Sequence, residues 1–168
     1  MKFRPTSSRF RAAMIACVSL VAAAVCATAY AQSTTVTTNE TVPFSGSLAN
    51  PCNGDTVTFQ GNIHVTNHMT TDAGGGTHLK THLNFQGVTG TGAPSGLTYN
   101  VRTTTNQSVN DSDGPQSEAT VISTVKLISQ GPPQNYFLRN VFHVTVNANG
   151  TTTSTVDETS AECRGGQN

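Results

Sequence analysis

The alternation of apolar and polar residues is clearest between residues 56 and 90. In the first half, polar residues separate four apolar ones: Val57, Phe59, Ile63 and Val65. The alternation resumes at Leu79, Leu83 and Phe85, after a glycine-containing stretch at residues 70–76. A period of two is typical of a strand with one buried face, and glycine tolerates the backbone conformations of tight turns. The pattern therefore predicts a long β-hairpin.

The polar residues of this hairpin predict its register. If the hairpin folds symmetrically about Ala73, like residues face each other along most of the polar side, and His64 lies opposite His82 while His68 lies opposite His78. A shift by one residue would exchange the two faces, whereas a shift by two would keep them. The predicted pairing therefore depends on the match between polar residues.

Further strands are predicted by alternating segments at residues 97–102, 121–128 and 136–146. The segment at 121–128 has apolar residues on both faces, which is typical of a central strand covered on both sides. Residues 105–118 are polar and acidic and predict a long mobile loop. Residues 32–49 are threonine-rich and predict either a flexible leader or an edge strand, and residues 45–54 predict a loop that holds Cys52.

The pair Asn149-Gly150 is a strong signal for a hairpin turn. A two-residue loop would place His143 opposite Val156, and a three-residue loop would place Phe142 there. The hydrophobic pattern favours the second arrangement. Together, the segments predict an antiparallel all-β fold, a sandwich or a small barrel of about seven to eight strands, with residues 50–168 as a single domain.

The N-terminal 31 residues predict a secretory signal peptide. Four basic residues precede an apolar run at residues 12–29, and Ala29-Tyr30-Ala31 matches a small-x-small cleavage site. The alternative is an uncleaved membrane anchor. We expect the mature protein to be secreted or periplasmic and to have no membrane span.

Removal of this segment changes the charge and the cysteine count. The whole chain has 9 basic and 9 acidic residues. Four basic residues leave with the signal, so the mature charge is 5 − 9 = −4. The five remaining basic residues are scattered along the sequence, which predicts no basic cluster and no nucleic-acid partner.

Of the four cysteines, Cys52 and Cys163 remain, and we expect a disulfide between them in an exported protein. Two buried free thiols are the alternative.

Short strings in the chain resemble a group of small exported bacterial all-β proteins with no assigned activity. The strings are NPCNGD at residues 50–55, HLNFQGVTGTG at 82–92, FHVTVNANG at 142–150 and Glu162-Cys163. The resemblance implies an exported β domain and assigns no functional residue.

The histidines are the best candidates for chemistry. Opposed residues of a hairpin lie close enough to bind one metal ion, so the predicted register gives two histidine pairs, His64 with His82 and His68 with His78. Each pair would need further ligands for zinc or copper, for example Asp72 from the turn, and Lys80 between the pairs would repel a cation. The alternative is a polar sheet face without metal.

The sequence contains no GxSxG or zinc-protease motif, and its aspartates fall in turn contexts where this residue is common. We therefore expect a non-enzymatic domain with a binding or structural role and no cofactor, whose partner is a small molecule or a protein. Tyr99, Tyr136 and Phe137 are predicted either to line an apolar pocket or to pack in the core. A histidine-based zinc- or copper-binding protein is the alternative function.

Overall fold

The computed structural model describes residues 32–131 and 135–165, which form seven antiparallel strands. Their bounds are β1 Thr34–Asn50, β2 Asp55–Thr71, β3 Thr77–Ala93, β4 Thr98–Asp111, β5 Ser117–Ser129, β6 Asn135–Val146 and β7 Thr152–Arg164. They pair in chain order within one sheet. In the described residues, pairing does not continue from β7 back to β1, so the sheet is not a closed barrel. The predicted antiparallel all-β fold of about seven strands is confirmed.

The predicted signal peptide lies outside the described residues. Every strand of the described residues lies between residues 34 and 164, and so do Cys52 and Cys163, so residues 32–168 contain the whole of the described sheet. The described residues include no helix long and apolar enough to cross a membrane.

One face of the sheet, here called the core face, carries the buried apolar cluster. Its members come from β2 to β6 and lie at the end of the sheet that holds the β1–β2 turn: Val57, Phe59, Val88, Tyr99, Val101, Leu127 and Tyr136. Toward the opposite end of this face, Val36, Val42, Met69 and Phe142 are exposed. Burial is therefore concentrated at one end of the strands, where Tyr99 and Tyr136 pack in the core.

A β-bulge at Gly87 explains how β3 contributes to this cluster. Residues Gln60 and Asn62 of β2 pair with Thr89 and Gln86, so β3 contains one extra residue at this point. Gly87 has a φ of 62°, a left-handed conformation that glycine adopts without strain. The extra residue shifts the alternation of β3 side chains by one position. As a result Phe85, before the bulge, and Val88, after it, both face the core.

The register of the first hairpin differs from the prediction. His64 pairs with Asn84, Thr66 with His82, His68 with Lys80 and Thr70 with His78. The predicted pairs His64–His82 and His68–His78 are therefore wrong by a shift of two residues. Such a shift keeps both faces, so the apolar pattern could not exclude it. The tight Asp72–Gly76 turn determines the observed pairing, because Asp72 N donates to Gly76 O at 2.9 Å.

Several loops are shorter than predicted. The threonine-rich segment forms the edge strand β1, and this strand continues through the predicted loop from residue 45 to Asn50. The expected long loop at 105–118 is reduced to residues 112–116, because β4 and β5 pair over their whole length. In the last hairpin His143, not Phe142, lies opposite Val156, and a bulge near the turn takes up the extra residue. Here the hydrophobic match gave the wrong pairing.

The disulfide between Cys52 and Cys163 is present and confirms the predicted link. It joins the β1–β2 turn to the end of β7, which lie 111 residues apart in sequence. In the same turn Asn50 and Asp55 are buried polar residues, 0% and 1% exposed. The string NPCNGD therefore marks a buried polar cap beside the disulfide.

Candidate binding site on the polar face

The second face of the sheet, here called the polar face, carries all five histidines of the chain. His64 and His68 belong to β2, His78 and His82 to β3, and His143 to β6. The period of two in the first hairpin predicted this face for His64, His68, His78 and His82, whereas His143 reaches it through the pairing of β6 with β5. The sequence predicted this face correctly but not the contacts along it.

A groove of about 440 Å³ lies on the polar face across strands β2 to β5. We call it the histidine groove. Its polar-face lining residues are Thr66, His68, Lys80, His82, Asn106, Ser108, Thr120 and Ile122. It contains three of the residues singled out from the sequence, which are His68, Lys80 and His82. Asn106, Ser108 and Thr120 were not predicted, because their strands had been interpreted partly as a loop.

Neighbouring side chains hold the two groove histidines in place. His82 Nδ1 donates to Asn106 Oδ1 at 2.8 Å, since an amide oxygen can only accept. Its Nε2 is therefore the ring nitrogen left for a ligand. His68 Nδ1 lies 2.8 Å from the Thr37 hydroxyl of the edge strand. These bonds restrict the rotation of both rings, which reduces the entropy lost when a ligand is bound.

Lys80 provides the positive charge of the groove. It is the direct strand partner of His68 and is exposed. No carboxylate lines the groove, and Lys80 forms no ion pair within the described part of the chain. Across β4 its partner is Ser108, which pairs in turn with Thr120. The groove therefore combines one unpaired cation with hydroxyl, amide and imidazole groups.

The observed register changes the geometry of the proposed metal ligands. His64 and His68 flank Thr66, whose partner is His82, so His82 is diagonal to both. Diagonal partners in a sheet lie about 7–8 Å apart, compared with about 4.5–5.5 Å for opposed ones. Among residues 32–131 and 135–165 no group of three or more histidine, cysteine or acidic side chains could hold a metal ion.

His78 belongs to a different cluster, at the β2–β3 turn. Its Nδ1 lies 2.9 Å from Asn110 Oδ1 and its Nε2 lies 3.3 Å from Asp72 Oδ2. Both neighbouring oxygens accept hydrogen bonds, so the imidazole of His78 donates to both of them when both of its nitrogens are protonated. Hydrogen bonds to Asn110 and then Asp72 raise the pKa of His78 above its ordinary value of 6.5. The pKa of Asp72 is lowered, first by the Gly74 amide and then by the Gly76 amide and His78.

Because the histidine pairs are not formed, mutual repulsion between opposed imidazoles is not available as a source of pH dependence. The ion pair between His78 and Asp72 changes stability with pH in the opposite direction, because protonation of His78 strengthens this pair and so stabilises the fold. His143 is held separately, with its Nδ1 2.8 Å from the Thr120 hydroxyl and 3.9 Å from Glu118 Oε1.

Comparison of the chain with protein-family models, curated proteins and solved structures finds no match.

Proposed function

We propose that the protein is an exported, non-enzymatic binding domain whose histidine groove takes a small polar molecule with an acidic group. The observation that carries the proposal is the unpaired Lys80, which lies in a groove of about 440 Å³ together with hydrogen-bonding side chains. Cavities of about 300–1,000 Å³ are typical of small-molecule sites. An acidic group on the ligand would neutralise Lys80, and its other polar atoms would pair with His82, Asn106 and Ser108.

Binding is favoured over catalysis by what the groove side chains contact. His82 is bonded to an amide and His68 to a hydroxyl of the edge strand. A general base is usually oriented by a carboxylate and directed at a nucleophile. In the described part of the chain, the groove histidines have no such pair of neighbours. The predicted signal peptide supports a role outside the cytoplasm, in the periplasm or beyond the cell.

The test is a thermal-shift and calorimetric titration of residues 32–168 with acetate, succinate, citrate and malate. We expect at least one of these carboxylates to bind, and Lys80→Gln to weaken it at least 10-fold, about 1.4 kcal/mol. Lys126→Gln is the matched control, since it removes the same charge from the same face outside the groove. Failure of all four carboxylates to bind, or equal losses in both variants, would overturn the proposal.

A histidine-based site for zinc or copper is the second candidate. It rests on the diagonal placement of His82 relative to His64 and His68. A metal that binds the native state raises its melting temperature. A melt in EDTA followed by Zn²⁺ or Cu²⁺ should then show a rise that disappears in a His64→Gln/His82→Gln variant. An equal rise in that variant would rule this candidate out.

A further inference from the structure

Four of the five basic residues of the mature chain lie together on the polar face, on strands β4 to β7. They are Arg102, Lys126, Arg139 and Arg164, here called the basic patch. Arg102 and Lys126 are direct partners across β4 and β5. Arg139 pairs with Thr124, two residues from Lys126. The expectation that the basic residues remain scattered is therefore wrong, because strand pairing brings together positions far apart in sequence.

Charge compensation within the patch is incomplete. Arg164 forms an ion pair with Glu162, but Arg102, Lys126 and Arg139 form none with the carboxylates of residues 32–131 and 135–165. Like charges placed directly opposite each other destabilise a sheet. The Arg102–Lys126 pair therefore has an unfavourable interaction that a bound anion would relieve.

Phe137 provides an aromatic surface in the middle of the patch. Lys126 Nζ lies 5.8 Å and Arg164 Cζ lies 4.9 Å from its ring centroid. Both contacts fix long side chains that would otherwise be mobile, so the cations are held in position before a ligand arrives. A cavity of about 240 Å³ lies beside the ring, lined by Lys126, Arg139 and Ser160 and also by Glu162, whose carboxylate is paired with Arg164.

Next to Arg102 the patch continues into a second cavity of about 490 Å³. It lies where pairing between β3 and β4 is interrupted, between Asn84 and Thr89. Arg102, Thr104 and the amide of Asn84 line it. Asn84 Oδ1 is shielded from solvent and has no hydrogen-bond partner among the described residues. Since χ2 of asparagine rotates readily, this oxygen can turn to accept a hydrogen bond from a ligand hydroxyl.

We propose that the basic patch and the adjoining cavity bind an acidic polysaccharide with carboxylate groups, a polyuronate. Adjacent strands lie about 4.8 Å apart, so the four strands of the patch span about 15 Å, the length of a short chain segment rather than one small anion. Guanidinium groups bind carboxylates in a bidentate geometry. The hydroxyls of the sugar units match Asn84, Thr104 and Ser160. This surface is separate from the histidine groove and does not depend on the function proposed for it.

Two other polyanions fit the patch less well. The sugar–phosphate backbone of DNA carries no hydrogen-bond donor for Asn84 Oδ1, whereas each sugar unit of a polyuronate carries hydroxyl donors beside its carboxylate. A membrane surface usually requires exposed apolar side chains that insert beside the cations. The exposed large apolar residues, Val36, Val42, Met69 and Phe142, all lie on the core face instead.

The test is calorimetric titration of residues 32–168 with polygalacturonate. Dextran serves as the uncharged control, and single-stranded DNA and phosphatidylglycerol vesicles are the competing polyanions. We expect polygalacturonate to bind, an Arg102→Gln/Lys126→Gln variant to bind it at least 10-fold more weakly, and affinity to fall with added salt. Lys80→Gln, which removes a charge from the same face outside the patch, should leave polygalacturonate binding unchanged. The substituted positions lie outside the core, and melting temperatures check that the variants fold.

Retention of polygalacturonate binding in the double variant would overturn the proposal, and so would equal binding of dextran. Tighter binding of DNA or of vesicles than of polygalacturonate, lost in the same double variant, would also overturn it and assign the patch to that class of partner. Because Lys80→Gln tests the groove and Arg102→Gln/Lys126→Gln tests the patch, either function can fail without the other.

Discussion

Tyr99 donates its hydroxyl hydrogen to Asp55 Oδ2 across 2.6 Å, and both side chains are buried, 0% and 1% exposed. The same carboxylate oxygen accepts from the Ser95 hydroxyl at 2.5 Å and from Asn53 Nδ2 at 3.1 Å. Asn53 Nδ2 also donates to the Tyr99 hydroxyl at 2.7 Å. This network joins the β1–β2 turn, the β3–β4 turn and the start of β4, close to the disulfide.

Removal of the Tyr99 hydroxyl should destabilise the protein. Tyr99→Phe keeps the ring in the core but removes one donor to the buried carboxylate of Asp55, which costs about 1–3 kcal/mol. Tyr136→Phe is the matched control, since this core tyrosine has no hydroxyl hydrogen bond among the described residues, and we expect a change below about 0.5 kcal/mol. Urea unfolding measures both. Equal losses in the two variants would contradict the role of the Asp55 network.

The Asp55 network should make stability sensitive to acid. The Ser95 hydroxyl, followed by the Tyr99 hydroxyl, lowers the pKa of Asp55 from its ordinary value of 3.8. The folded state therefore binds the proton more weakly than the unfolded state does. The stabilisation is complete above about pH 3.8 and is lost as the pH falls through the folded pKa.

Urea unfolding at a series of pH values below 5 checks this prediction. Asp55→Asn should have a shallower loss of stability with acid than wild type, whereas Asp157→Asn, at an exposed position on β7, should keep the wild-type slope. A slope in Asp55→Asn as steep as that of wild type would count against the prediction.

The His78 cluster should contribute a pH dependence of opposite sign. Hydrogen bonds to Asn110 and Asp72 raise the pKa of His78 above 6.5, so the folded state binds this proton more tightly. The contribution is present below about pH 6.5 and is lost as the pH rises through the folded pKa. His78→Gln should flatten the stability profile above about pH 6.5, whereas the exposed Thr58→Val substitution on the same face should keep the wild-type profile. Identical profiles for wild type and His78→Gln would refute it.

Loss of the disulfide should be costly because it closes a long loop. For a separation of 111 residues the chain-entropy model gives about 4–5 kcal/mol. A Cys52→Ser/Cys163→Ser variant should lose this amount relative to the oxidised wild type, and reduced wild type should match the variant. A reduced protein as stable as the oxidised one would contradict this prediction.

The sequence was sufficient for the fold class, the two faces and the disulfide. The first two depend on local periodicity, as the alternation around Ile63 shows, and the disulfide was expected because two cysteines of an exported protein usually pair. The register was harder, because a shift of two residues preserves the faces. The match of His64 with His82 appeared favourable, but the Asp72 turn determines the pairing.

The candidate site could be predicted only in part. The alternation of the first hairpin indicated three groove residues, His68, Lys80 and His82. The others reach the groove through strand pairings that no local pattern reveals, as Asn106, Ser108 and Thr120 do. The basic patch could not be predicted for the same reason, because Arg102 and Lys126 are distant in sequence and opposed in the sheet. Asp55 was interpreted as an ordinary turn aspartate, although its position between Asn53 and a strand indicated a capped turn.

The central claim, that the histidine groove binds a small acidic molecule, is tested most directly by NMR titration of residues 32–168 with citrate. The account predicts that the side-chain amide of Asn106 and the ring of His82 shift on titration, and that Lys80→Gln abolishes these shifts while Lys126→Gln preserves them. Unchanged signals of Asn106 and His82 at saturating citrate, or equal shifts in the Lys80→Gln variant, would contradict the account.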